Sequence, residues 1–206
     1  VSRGRRLRAI GAAVASVLLV GGCAAGTHPG AAAVVGDSEI TVGDVDETSR
    51  AVSSALGQQF STAVALSELV NNALVSQVSE QRSISVSDAE TAEAAKLVVN
   101  DPTAFAKFEA DPVAREFLHE VAASAVATIK LGGGSGVKDP NVQQAQQAGI
   151  QQVKEASKDV KVEISPRFGQ WTDGAIDNKV SGSLSEESAQ AKAKREAAEN
   201  AQQGQG

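Results

Sequence analysis

ALSELVNNALVSQVSEQRSISVSDAE, residues 65–90, is the stretch whose reading decides the fold. Leu66, Leu69, Val70, Ala73, Leu74 and Val78 recur every three to four residues, the spacing of one helix face. Asn71, Asn72, Gln77 and Glu80 fall mainly on the opposite side. The pattern predicts a long helix from about Ser61 to Arg82. Ile84-Ser85-Val86 is then a short extended connector. Ser87 followed by Glu90 is a capping box, in which each side chain satisfies the other's backbone N–H at a helix start. A third helix therefore opens there, and the chain reads as mainly α.

The same logic extends in both directions. Upstream, VVGDSEITVGDVD (34–46) begins as a short apolar strand that turns at Gly36-Asp37. Thr41 with Asp44 opens a helix carrying Val45, Val52, Ala55 and Leu56 on one face. Downstream, Asp101-Pro102 and Asp111-Pro112 each place a capping carboxylate before a proline at the first helical position. The helix after Pro112 carries Val113, Phe117, Val121, Ala125 and Ile129. Gly132-Gly133-Gly134-Ser135-Gly136 then reads as a flexible Gly-rich linker, 132–136. It is no phosphate loop, since no strand precedes it and no Lys-Ser/Thr follows. Asp139-Pro140 starts another helix to about Lys158, with Val142, Ala145, Ile150 and Val153 apolar. Val160, Val162 and Ile164 alternate with Lys161 and Glu163, the signature of a half-buried strand. Ala33–Val35 and Val160–Ile164 are each too short to stand alone, so a small two-stranded sheet is expected to join the two ends of the domain. The domain is thus placed at 33–171, with 172–206 as a disordered polar tail.

Residues 1–22 have the layout of an export signal. Arg3, Arg5, Arg6 and Arg8 precede the uncharged, mostly apolar run Ala9 to Gly22, which is short for a membrane span. Val20-Gly21-Gly22-Cys23 is the small-residue pattern of a lipobox, and Cys23 is the sole cysteine. A thiolate is the nucleophile that accepts a lipid at neutral pH, so Cys23 is the expected lipid-attachment residue. Residues 23–32 become a flexible tether. This reading puts the protein on the extracytoplasmic face of the cell membrane, held by its acyl chains.

Removing residues 1–22 takes the formal net charge from −6 to −10. Such a chain is a poor partner for nucleic acid, which needs clustered Lys and Arg. It also lacks the composition of a polybasic membrane patch, so the membrane partner is reached through the lipid alone. With its one cysteine assigned, the chain has no disulfide framework and no Cys-based metal site, and neither a metal nor a cofactor is expected. His119 is one of two histidines and has no nucleophile or metal-ligand pattern beside it, so it reads as an ordinary helix-surface or half-buried side chain. Glu109, Asp111, Glu116 and Glu120 do not have calcium-loop spacing and read as a solvated acidic face. No GxSxG occurs. Phe168 and Trp171 are expected to pack against the helices. No catalytic residue emerges.

Three segments taken in order resemble the N-terminal chaperone domain of the SurA/PrsA-type extracytoplasmic foldases: VVGDSEITVGDVD (34–46), ALSELVNNALVSQVSEQRSISVSDAE (65–90) and VEISPRFGQW (162–171). The first resembles that family's strand-turn-helix opening, the second its long helix and following cap. The third resembles its returning strand, with the Pro-Arg-aromatic-Gly turn of actinobacterial lipoprotein versions. The resemblance implies a helical SurA-N-like domain that binds unfolded or extended polypeptide. Such foldases often insert a parvulin-type prolyl isomerase before the returning strand; here residues 131–139 leave no room for one. A chaperone role without isomerase activity is therefore what the resemblance implies. A partner-docking envelope lipoprotein and a small-molecule or lipid carrier are the other classes open to this chain.

Overall fold

The computed structural model describes residues 29–177. The expected signal at 1–22, Cys23, most of the expected tether and residues 178–206 of the expected tail lie outside the described residues. Strand β1 (Ala31–Val35) is the centre of a three-stranded antiparallel sheet, flanked by β2 (Ser38–Thr41) and β3 (Val162–Ile164). Ala33 faces Ile164 and Val35 faces Val162, so the expected pairing of the domain's two ends is present. The Gly36 N–H to the Lys161 carbonyl (2.8 Å) and the Ser165 N–H to the Ala32 carbonyl (2.8 Å) extend it. The sheet has one strand more than the two expected. β2 pairs with β1 through the two-residue Gly36-Asp37 turn. Its four residues bury one side chain, Ile40, too few to leave an alternating pattern. β1 reads as a continuous run of small apolar residues because helices and strands cover it on all sides; Ala32, Ala33 and Val35 have no exposed surface.

Among the described residues there are six helices, four of which start at caps read from the sequence. In α1 (Val42–Leu56), Thr41 Oγ1 accepts from the Asp44 N–H at 3.1 Å and Asp44 Oδ2 accepts from the Thr41 N–H at 2.8 Å. Ser61 caps α2 (Thr62–Gln81), and the Ser87–Glu90 box caps α3 (Asp88–Val98). Asp101 and Asp111 cap α4 (Pro102–Ala110) and α5 (Pro112–Leu131), each with proline at the first position. α6 spans Val142–Ala156, starting later than Asp139-Pro140 suggested. Asp139 instead ties the preceding loop: its carboxylate accepts from the Ser135 N–H, the Ser135 hydroxyl and the Asn141 N–H.

Two adjoining apolar clusters form the core. One joins the sheet to α1, α2 and α6 through Val35, Ile40, Val45, Leu66, Val78 and Val153. The other joins α1, α3, α4 and α5 through Val52, Ala95, Phe108, Leu118, Ala122 and Val126. Phe60, Leu69 and Val86 touch both. Two α1 serines tie down Phe60: Ser49 donates to its carbonyl (2.6 Å) and Ser53 accepts from its N–H (2.8 Å). The packing corrects two helix faces. On α5, Ala114, Phe117, Leu118, Ala122, Val126 and Ile129 are buried, whereas Val113, Val121 and Ala125 are only half-buried. On α6 the inner face is Ala145, Gly149, Val153 and Ala156, and Ile150 is 50% exposed.

The Gly-rich segment is not a flexible linker. It is where α5 and α6 meet backbone to backbone. A Cβ added to Gly132 would stand 2.6 Å from the Gly149 nitrogen; one added to Gly134 would stand 2.6 Å from Ile129 Cγ2. Glycine is needed there for close approach, not for mobility. The domain also extends past residue 171. β4 (Gln170–Thr172) and β5 (Ala175–Asp177) form a hairpin, so the first residues assigned to the tail are folded. Asp173 (φ 52°) and Gly174 (φ 87°) are its turn, the Asp-Gly pair favoured where both central residues are left-handed.

Candidate functional site

α2 runs through the middle of the molecule, with β1, β2, α1, α5 and α6 around it. That position accounts for Asn72, which the helix pattern put on a polar face. With neighbours on several sides, α2 keeps only part of its predicted polar face in solvent: Asn71 is exposed, whereas Asn72 is 6% exposed. Its Nδ2 has no hydrogen-bond partner among the described residues. An unpaired buried amide costs roughly 1–3 kcal/mol, so such groups are rare in a settled core.

Asn72 of α2 and Ser124 of α5 line both of two adjoining hollows. The first, about 500 Å³, opens between β2, α1, α2 and α5. Ile40, Leu69, Ala73, Val113 and Phe117 supply its apolar lining. Phe117 is held edge-on to Phe60, with ring centroids 5.6 Å apart. Glu39, Asp44, Glu47, Glu116 and Glu120 surround this floor, and no Lys or Arg lines it. Glu116 and Glu120 are one helical turn apart on α5, where like charges repel. Glu120 is exposed as a residue, yet loss of water around its carboxyl and, second, the Glu116 carboxylate raise its pKa above the ordinary value.

The second hollow, about 340 Å³, lies between α2, α5 and α6. Val75, Val121, Ala125 and Ile150 give it apolar surface, and Asn71, Thr128 and Gln146 give it neutral polar groups. The Asp173-Gly174 turn closes one end. Gly174 leans on α6, within 3.9 Å of Lys154 Cγ and Ser157 Oγ from the position of an added Cβ. The half-buried α5 residues Val121 and Ala125, misplaced by the helix pattern, are thus walls of a cavity rather than core.

The four acidic residues read as one solvated face are divided by the fold. The Asp111 carboxylate caps α5, accepting from the Val113 (2.9 Å) and Ala114 (3.0 Å) N–H groups. Glu109 lies 3.5 Å from His119 Nε2 across the α4–α5 junction, at the surface. Only Glu116 and Glu120 reach the first hollow, where they meet the acids of β2 and α1. Among the described residues no group of three His, Cys, Asp or Glu is placed to hold a metal ion. Phe168 and Trp171, expected to pack against the helices, are partly buried against the cluster that joins the sheet to the helices, with the Arg167 guanidinium 4.5 Å above the Phe168 ring. Cys23 lies outside the described residues. Sequence reasoning missed Asn72 and the joining of the two acidic sets, because both depend on which elements surround α2. The hairpin did leave a signal, Asp173-Gly174.

No protein-family model, no curated protein and no solved structure matches the chain. No helix among the described residues is long and apolar enough to cross a membrane.

Proposed function

We propose that this protein is a lipid-anchored extracytoplasmic lipoprotein whose domain binds extended or unfolded polypeptide, as a SurA-like chaperone domain without prolyl isomerase activity. The reading rests on the two adjoining hollows that share Asn72 and Ser124, taken together as one trough offering both apolar and polar surface. An extended chain presents backbone N–H and C=O groups between side chains, and such a trough suits both. Among the described residues, large apolar side chains exposed outside the two hollows are few: Val64, Leu97 and Val98. The trough, not an open helix face, is therefore where a chain would dock. The direct passage from α5 to α6 supports the absence of an inserted isomerase module. The lipobox at Cys23 supports the anchor, and the acidic charge argues for polypeptide over nucleic acid.

The test is suppression of aggregation. The full chain, purified in detergent, is added to several unrelated unfolded proteins and light scattering is followed. Suppression with more than one of them, weakened by bulky substitution at Ser124, is expected. No effect with any would overturn the reading, and a single tight partner would favour a dedicated docking protein.

A further inference from the structure

We propose that the first hollow takes a Lys or Arg side chain of the bound polypeptide between Glu47, Glu116 and Glu120, while Asn72 Nδ2 donates to that polypeptide's main chain. This rests on the reading of the trough as a polypeptide site and names the chemistry it selects.

Three observations carry it. Glu47, Glu116 and Glu120 border one open hollow, and none of them is ion-paired among the described residues. An incoming cation would supply the missing partner, and the three acids come from two different helices, so they approach it from more than one side. The floor beneath them is apolar, with Leu69 and Phe117. A Lys or Arg has an apolar stem and a charged head, which fits an apolar floor under a carboxylate rim. Asn72 is the independent observation: it is 6% exposed, it borders the hollow, and its Nδ2, closed off and without a partner, meets an acceptor when the amide turns toward the hollow. A main-chain carbonyl is the acceptor every polypeptide brings. The repulsion between Glu116 and Glu120, and the raised pKa of Glu120, are costs the free protein bears and a bound cation relieves.

The experiment uses the full chain in detergent and two fluorescein-labelled extended peptides that differ at one central position, Lys in one and norleucine in the other. Binding is read by fluorescence anisotropy. The Lys peptide is expected to bind about tenfold tighter, with an advantage that shrinks as salt rises. The double variant Glu116→Gln, Glu120→Gln should remove that advantage, bringing the Lys peptide to the affinity of the norleucine peptide. Asn72→Leu should weaken both peptides equally, several-fold, because the main chain is common to them; circular dichroism checks that each variant is folded. Equal binding of both peptides, with no effect of the double glutamine variant, would overturn the charge selectivity and leave the trough reading standing. Binding of neither peptide would overturn the trough reading and this inference together.

Discussion

Gly149→Ala should destabilise the domain, although alanine is the better helix former. Gly149 lies inside α6 with ordinary helical backbone, and in an open helix the exchange would stabilise by about 1 kcal/mol. Here the added Cβ would stand 2.8 Å from the Thr128 carbonyl carbon of α5, and nearer its oxygen. An ordinary contact needs at least ~3.4 Å, so the helices must part by well over half an ångström. Both sides of the clash are backbone, and no rotamer can relieve it. Overpacking of this kind costs about 1–3 kcal/mol, occasionally more. Lifting α6 also loosens Val153, whose full exposure alone would cost about 1.5–3 kcal/mol. After the propensity gain, a net loss of roughly 2–4 kcal/mol is expected, a fall in Tm of roughly 5–15 °C for a chain this size. Thermal melting by circular dichroism measures it. Gly43→Ala in α1 is the control: its added Cβ meets only Thr41 Oγ1 at 3.4 Å, so it should be neutral or stabilise by up to about 1 kcal/mol. Gly132→Ala acts on the same crossing, so its cost and that of Gly149→Ala should not add. A Gly149→Ala protein that melts at or above the wild-type temperature would refute the backbone contact and restore the flexible-linker reading.

Three further outcomes are expected. Ser79 is buried on α2 with an unpartnered hydroxyl, so Ser79→Ala should stabilise by about 1 kcal/mol in urea unfolding; a loss of that size would mean the hydroxyl has a partner. The Glu90 carboxyl is held down to about 2 by hydrogen bonds from Lys130 and then from the Ser87 backbone and hydroxyl. Its stabilising effect is full above its ordinary pKa of 4.5 and is lost as pH falls through that range toward 2. The urea midpoint of Glu90→Gln should accordingly drop less than the wild type's on acidification, and parallel curves would refute the pairing. Finally, Cys23→Ser should abolish fatty-acid labelling and release the protein from membranes; a labelled, membrane-bound variant would refute the lipobox reading.

Capping chemistry is local, and so it was legible in the sequence. Thr41–Asp44, Ser87–Glu90, Asp101-Pro102 and Asp111-Pro112 each satisfy backbone groups within four residues, independently of what lies across the domain. The alternation at 160–164 marked a strand for the same reason, and with one short apolar strand elsewhere its partner followed. The glycines at 132 and 134 were legible as glycines but not in their role, since mobility and close approach leave the same letters. Only the crossing of α5 over α6 decides between them.

The site lies at the far end of that scale. Sequence alone determined that Asn72 sits on a Leu/Val-rich helix and that Glu47, Glu116 and Glu120 are acidic positions on two helices. A helical period reports one buried face, whereas five elements pack against α2, so the burial of Asn72 follows from its neighbours and not from its own segment. Packing of α1 and α5 around α2 likewise brought acids about seventy residues apart in the chain to one hollow. Charge and hydrophobicity are written residue by residue; which charges share a cavity, and which amide is left without a partner, is decided only when the helices pack.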